Sequence, residues 1–267
     1  SIALGDVRDA EAVRAAVAGQ EAIIHLAAML PPLADIQPDL ARAINVGGTE
    51  QVIAAAQAQA TPPKLVYISS IALFGNTQAL PPPRRVSDPI HPIDPYSKHK
   101  AECETLVRAS GLTWTILRLT AIPRMDESFN ALRIRAMFSV PPGDRMEMIH
   151  PADAALAVVN AMSSPDVWGR TLLVAGGPTC RMTMADYYRG YLDGAGIGTF
   201  DTRYFGKESY HLDWYDTDES QALLRYQRHS AKDFFDEYRR RMTLARWGAT
   251  LVRPLVRRAL LRYAVRG

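Results

Sequence analysis

Val66-Tyr67-Ile68-Ser69-Ser70, followed after a proline-rich loop by Tyr96-Ser97-Lys98-His99-Lys100, decides how the rest of this chain is read. The first stretch has the character of a buried strand and ends in two hydroxyls. In the second, Tyr96 and Lys100 are four apart and share one face of a helix. An ammonium beside a phenol stabilises the phenolate and brings a group that titrates near 10 towards neutrality. A hydroxyl, a phenol and an ammonium on neighbouring elements are what a hydride-transfer enzyme needs to move a proton at a carbonyl or alcohol carbon. With 11 Tyr and five Lys in 267 residues, a chance Tyr-x-x-x-Lys is expected roughly 0.2 times. It occurs once.

Outward from this pair, short apolar runs alternate with helical patterns. Asp9 caps a predicted helix to Ala18, and Gly19 ends it. Ala22–Ala27, Leu65–Ser69 and Thr113–Leu119 read as buried parallel strands. Residues 38–60 read as one Ala-rich helix interrupted by Gly47-Gly48, and the helix after Pro95 runs to Ser110, where Gly111 stops it. Residues 75–95 carry six prolines and are predicted to loop across the mouth of the site. Such alternation predicts a doubly wound parallel sheet. Beyond Arg118 it breaks. Residues 121–148 read as irregular with one short helix, residues 150–162 as a helix, and Thr171–Val174 as a strand. Thr183, Thr217 and Ser230 each cap a further helix.

The stretch Asp94-Pro95-Tyr96-Ser97-Lys98-His99-Lys100-Ala101-Glu102-Cys103-Glu104 resembles the active-site helix of the extended short-chain dehydrogenase/reductases, the NAD-dependent epimerase/dehydratase family. Four further stretches match that family in order: Gly5-Asp6-Val7-Arg8-Asp9, His25-Leu26-Ala27-Ala28, Asn45-Val46-Gly47-Gly48-Thr49 and Ser69-Ser70-Ile71-Ala72-Leu73-Phe74-Gly75. The likeness runs to about His150-Pro151-Ala152-Asp153 and then thins. It implies an α/β fold, a Rossmann-like doubly wound sheet with a small C-terminal α/β substrate lobe. Residues 1–120 and 149–176 would form the dinucleotide-binding domain, 121–148 and 177–240 the lobe, and 241–267 a basic tail.

The resemblance also implies roles. Tyr96 is the catalytic acid–base, Lys100 holds the nicotinamide ribose and lowers the phenol pKa, and Ser70 hydrogen-bonds the substrate oxygen, with Ser69 as its rival. Asp6 would accept from the adenine amino group, or is a turn residue; Val7 would pack on the ring. Leu26, Ala27 and Ala28 let backbone approach the cofactor, Asn45 stands near the active site or merely beside a glycine break, and Thr120 lies where the chain passes the nicotinamide ribose. His99 reads as structural. The implied cofactor is NAD or NADP, the implied assembly a homodimer through residues 38–60 and the helix after Pro95, and the implied substrate a small alcohol, ketone or sugar derivative. Ile71-Ala72 replace the Asp-Glu pair of the nucleotide-sugar 4,6-dehydratases, Ala121 replaces an Asn of the sugar-nucleotide epimerases, and Gly143–His150 only approximates their phosphate-binding Arg stretch. Dehydration therefore lacks its acid and base. Met29, Leu30, Pro31, Pro32, Met125, Phe129, Met137 and Phe138 line an apolar pocket or belong to the core. A second reading is a non-catalytic dinucleotide-binding relative that serves as a sensor or assembly subunit.

No G-x-G-x-x-G or G-x-x-G-x-x-G occurs near Ser1, so the sequence reads as a fragment lacking its first βαβ unit, with the edge of the Ala22–Ala27 strand left open. Cys103 and Cys180 sit in no C-x-x-C or Cys/His cluster, which predicts neither disulfide nor zinc and favours a reducing, cytoplasmic setting. No apolar run approaches a membrane span. The net charge of +3 hides an asymmetry. Residues 239–267 carry nine Arg and no acid, leaving 22 basic against 28 acidic side chains elsewhere. Binding to nucleic acid would rest on the tail alone and is not expected. Leu244, Trp247, Leu251 and Leu255 share a helical stripe, with Arg246, Arg253 and Arg257 opposite and a kink at Pro254. Either the stripe packs on its own domain or on the acidic body of a partner subunit, or it meets an anionic membrane surface.

Overall fold

The structure, a computed structural model, describes residues 2–125 and 131–264. Four strands form one parallel sheet in the order β1 (Ala22–His25), β2 (Lys64–Ser70), β3 (Trp114–Leu119), β5 (Thr171–Val174). Register explains its two buried faces. Tyr67 lies opposite Ile116, and Ile68 opposite Leu117. With side chains alternating along each strand, Leu65, Tyr67 and Ile116 face one layer, and Val66, Ile68, Leu117 and Leu119 the other.

The first layer holds α1 (Ala10–Val17), α4 (Gly48–Gln57) and α5 (Pro95–Ala109), through Val13, Val17, Val52, Ile53, Cys103 and Val107. The second holds α7 (Pro151–Ser163) and α9 (Asp218–Leu224), through Ala154, Ala157, Val158, Ala161 and Leu224. Asp9 caps α1 through the Glu11 and Ala12 amides. Gly111, where φ is +69, follows the end of α5, and the open left-handed region costs glycine little.

The helix expected across 38–60 is not continuous. A single turn α2 (Leu33–Ile36) precedes α3 (Pro38–Arg42), a π-helical turn Ala43–Gly47, and then α4. Gly48 is required there because an added Cβ would lie 2.7 Å from Val7 Cγ1. Val7 thus packs on α4 from within the protein. β1 ends at His25 rather than Ala27, and among the described residues it pairs with β2 alone.

The segment expected to be irregular contains β4 (Arg145–Glu147), which pairs antiparallel with β6 (Arg181–Thr183). Around this second sheet stand α6 (Ala131–Ser139), α8 (Met184–Gly194) and α10 (Ala231–Arg241). Met146, Met184, Tyr191, Phe234 and Tyr238 make one core there, and Ile134, Met137, Phe138, Leu192 and Ile197 another. Met137 and Phe138 are therefore core, not pocket lining. Leu30 is exposed, Met29 packs near Tyr96, and Phe129 lies outside the described residues.

α11 (Thr243–Leu251) and α12 (Arg253–Leu260) complete the chain's helices, broken at Val252 ahead of Pro254. Arg253 and Arg257 lie opposite the exposed Trp247, Leu251 and Leu255 and turn inward. Their guanidinium groups donate to the carbonyls of Ile197, Gly198 and Thr199, which have no helical partner of their own. The side chains of Leu244 and Arg246, and Arg266, lie outside the described residues. Among the described residues no helix is long and apolar enough to cross a membrane.

Candidate functional site

In a parallel sheet all strands end on one edge, and ligands collect there. Leu26, Ala27 and Ala28 follow β1, Ser70 closes β2, and Thr120 follows β3, so five of the residues singled out share that edge. The sixth, Tyr96, comes from the first turn of α5. Asp94 and Ser97 form a capping box at that turn, Asp94 accepting from the Ser97 amide at 2.9 Å and Ser97 Oγ from the Asp94 amide at 3.2 Å. Pro95 occupies the first helical position, where its missing N–H costs nothing. Tyr96, His99, Lys100, Cys103 and Glu104 all lie on the buried face.

Ser70, rather than Ser69, meets the phenol. The Ser70 hydroxyl lies near enough to Tyr96 to draw the phenol's pKa down, and it caps the 3₁₀ turn Ile71–Phe74 by accepting from the Ala72 amide at 3.2 Å. Ser69 points the other way and donates to Glu104 at 2.7 Å. Glu104 also receives Arg118 Nε and Nη2, both at 2.8 Å, and Arg108 at 2.6 Å. That buried network fixes the end of β2 and so the direction of Ser70.

Lys100 Nζ donates to the Ile68 carbonyl at 2.6 Å and lies 4.8 Å from the Tyr67 ring and 5.9 Å from the Tyr96 ring. Burial lowers its pKa to about 8. Burial also pushes Tyr96 up to about 12, partly offset by the Ser70 hydroxyl. The expected depression of the phenol by Lys100 is not found in this structure. Both groups are held away from water, and each is pushed towards its neutral form. His25 is driven down to about 4, first by burial and then by the Lys100 charge, and its Nε2 pairs with Thr49 Oγ1 at 3.0 Å.

Asn45 sits in the π-turn and clamps the chain after β1. Its Oδ1 accepts from the Met29 amide at 2.6 Å and its Nδ2 donates to the Met29 carbonyl at 3.1 Å. The same Nδ2 stands 3.5 Å from His99 Nδ1. Thr120 Oγ1 is taken by the Glu147 carbonyl at 2.5 Å, so its hydroxyl joins β3 to β4. Leu26 and Ala27 are exposed. Asp6 is also exposed, and Arg8 holds its carboxyl down at about 2 through a 2.5 Å ion pair. Beside β1 runs a cavity of about 410 Å³ lined by Leu4, Asp6, Val7, Val13, Ile23 and His25 among others.

Two residues that the sequence did not single out stand at the same place. His211 Nε2 lies 2.9 Å from Asp94 Oδ2, and the Tyr210 ring lies tilted against His211, with centroids 4.1 Å apart. Burial pushes Asp94 up, but His211 and the Ser97 amide outweigh it and bring it to about 2. Tyr210 is raised to about 12 by burial, with Asp94, Asp35 and Tyr96 adding to the effect. A lone Tyr-His in a loop over a hundred residues downstream carries no local signal. Elsewhere, His150, Asp153 and His229 approach within metal-binding distance. Their donors are already committed, since Asp153 accepts from the Arg228 and His229 amides and the His229 ring, and His150 Nδ1 from the Ala152 amide.

The residues present suit the nicotinamide end of a dinucleotide: a phenol and an ammonium at a strand edge, a serine against the phenol, and small exposed residues after β1. Neither G-x-G-x-x-G nor G-x-x-G-x-x-G occurs near Ser1.

A family model described as NAD(P)H-binding matches residues 1–165. An N-acetyl-α-D-glucosaminyl-diphospho-ditrans,octacis-undecaprenol 4-epimerase of Escherichia coli O157:H7 is 34% identical over 109 residues, 39% of this chain and 30% of that one. Methionine adenosyltransferase 2 subunit beta of Rattus norvegicus is 32% identical over 117 residues, 43% of this chain and 34% of that one. The chain spans about a third of the length of these two relatives. Among solved structures, a short-chain dehydrogenase/reductase superfamily protein of Agrobacterium tumefaciens with bound NAD superposes with TM-score 0.73, at 20% identity, covering 94% of this chain and 87% of that one. UDP-glucuronic acid 4-epimerase of Bacillus cereus gives 0.72, at 19% identity, covering 90% and 80%. At these identities the superpositions show a shared fold. The superpositions give the chain a Rossmann-like fold, and with the model matched over more than half its length the chain belongs to the NAD(P)H-binding family.

Proposed function

We propose that this protein is an NAD(P)-dependent oxidoreductase or epimerase in which Tyr96 moves the proton that accompanies hydride transfer at a carbonyl or alcohol carbon. The observation that carries the reading is the Ser70–Tyr96 hydroxyl pair at the strand edge with Lys100 buried behind it. NAD(P), when bound, supplies the hydride chemistry. Tyr96 gives or takes the proton, Ser70 orients the substrate oxygen, and Lys100 offers its ammonium to the ribose and to the phenolate. Leu26, Ala27, Ala28, Asp6 and Val7 are the proposed contacts along the cofactor, with Asn45 shaping the loop after β1. At neutral pH a phenol titrating near 12 is protonated, so the resting site is set to donate a proton.

The substrate class is a small alcohol, ketone or sugar derivative. Ile71 and Ala72 are both buried and apolar, which removes the carboxyl pair a dehydration needs. The Escherichia coli relative acts on a lipid-linked amino sugar by name, and that supports a sugar derivative. The β subunit relative supports the rival reading of an assembly subunit. The joint presence of Ser70, Tyr96 and Lys100 favours the enzyme.

Tyr96→Phe is the test. It removes one hydroxyl and keeps the ring in its packing, so turnover should fall by ~10²–10⁴ while dinucleotide affinity and melting temperature stay near wild type. Unchanged turnover in the folded variant would overturn the assignment.

A further inference from the structure

The end of the chain is fastened to the lobe by one face and open on the other. Leu260 is buried against Ile134, Met137, Phe138, Leu192 and Ile197. Arg257 stacks over Phe200 at 4.4 Å and, with Arg253, caps the 197–199 carbonyls. These contacts leave Trp247, Leu251 and Leu255 outside, 73%, 83% and 69% exposed. Trp247 and Leu251 are four apart on α11 and share one face, and Leu255 is exposed on α12 just past the break at Val252. They are not satellites of any core cluster, so the account in which the stripe packs on its own domain does not hold.

Arginine stands at both ends of this patch. Arg239, Arg240, Thr243, Trp247 and Thr250 line a groove of about 500 Å³. Arg258 follows Leu255 by three residues and so shares its side of α12, and Arg262 lies in the turn just beyond that helix; both are exposed. Arg241 is engaged by Glu237 at 2.7 Å. Arg239 and Arg240 are near enough to Asp236 to hold its carboxyl down, and beyond Glu237 the sequence has no acidic side chain to neutralise Arg258 and Arg262.

We propose that α11 and α12 dock on an anionic lipid surface, with Trp247, Leu251 and Leu255 entering the boundary between headgroups and acyl chains and Arg239, Arg240, Arg258 and Arg262 meeting lipid phosphates. Charge complementarity selects an anionic surface. The shape of the patch selects lipid over an acidic protein. The three apolar side chains are exposed, and a protein partner would have to supply a matching recess for each. A bilayer accepts them wherever they fall. Guanidinium groups on either side of an indole suit the interface, where an amphipathic ring and phosphate lie at the same depth. This inference does not depend on the catalytic reading.

The full chain is mixed with sedimenting vesicles of phosphatidylcholine alone, or of roughly two parts phosphatidylcholine to one part phosphatidylglycerol. The wild-type protein should pellet with the anionic vesicles, less so as salt rises, and weakly with the neutral ones. Each of Trp247→Ser, Leu251→Ser and Leu255→Ser should weaken binding about tenfold, and Arg239→Gln or Arg258→Gln about fivefold each. All five positions are exposed, and unchanged thermal melts will verify that the variants fold. Failure of the wild-type protein to pellet overturns the proposal. So does undiminished binding by a Trp247→Ser/Leu251→Ser/Leu255→Ser triple variant, or equal pelleting with both vesicle types. Stripe-dependent self-association in light scattering without lipid, together with no vesicle binding, would identify the occupant as a second copy and also overturn it.

Discussion

Lys100→Met should make the ligand-free protein more stable while it weakens dinucleotide binding and turnover. Lys100 is 3% exposed. Burial takes it from an ordinary value of 10.5 to about 8. At ~1.4 kcal/mol per pKa unit, holding the ammonium in the fold at neutral pH costs ~3 kcal/mol. Methionine keeps the apolar stem and its packing. It gives up the hydrogen bond to the Ile68 carbonyl, a loss of about 1 kcal/mol. The net gain is then ~2 kcal/mol, or a rise of roughly 4–8 °C in melting temperature. The folded pKa lies below the unfolded one, so the destabilisation is complete below about pH 8. It shrinks between about 8 and 10.5, where the folded chain has released a proton that the unfolded chain still holds. Urea unfolding of both proteins at pH 7 and pH 10 is the assay. The variant should lead at pH 7, and the gap should close by about pH 10. A variant less stable than wild type at pH 7, or a gap unchanged between the two, would refute the reasoning. Dinucleotide titration provides the functional arm, and unaltered affinity there would remove Lys100 from the proposed cofactor contacts.

Two further predictions concern the framework around the site. Burial pushes Glu104 up, but Arg118, Ser69 and Arg108 outweigh it and hold it below its ordinary 4.5. Its contribution to stability is therefore full above about 4.5 and lost as pH falls through the lower folded value. Glu104→Gln should cost about 3 kcal/mol at pH 7 by leaving the buried Arg118 uncompensated, and a deficit that stays constant down to pH 3 would be contrary to this. The second prediction is that the protein is a homodimer through the 38–57 helices and α5, where Ala-rich faces permit close, self-complementary packing. A monomer mass at every concentration in light scattering would rule it out.

The layers of this fold were legible because their rules are local. Three of the sheet strands announce themselves by apolar runs, and Asp9, Thr183 and Ser230 cap helices where a short polar side chain precedes a periodic pattern, whereas Thr217 precedes α9 without a side-chain cap bond. What was not legible depends on partners distant in the chain. β4 and β6 are three residues each, too short to show alternation, and exist because each completes the other's hydrogen bonds. The glycine that opens α4 is required by Val7, whose side chain packs against Gly48 from some forty residues away. Tyr210 and His211 reach Asp94 only after the lobe has folded. For the tail, the sequence showed an apolar stripe but not which arginines point inward; the carbonyls at 197–199 settle that for Arg253 and Arg257.

The relation between Tyr96 and Lys100 shows why spacing alone misjudges a pKa. A cation depresses a neighbouring phenol only if it still carries its charge when the phenol ionises. In this structure Lys100 titrates at about 8 and Tyr96 at about 12. As pH rises the ammonium is gone about four decades of proton activity before the phenolate would form. Burial, acting on both groups, has reversed the order that the helix spacing suggests. Restoring it requires that Lys100 gain polar partners beyond the single Ile68 carbonyl, which would raise the ammonium and with it lower the phenol. A ribose hydroxyl at Lys100 is the proposed partner of that kind. Cofactor binding and tuning of the general acid–base are then one event, and Lys100→Met should remove both together.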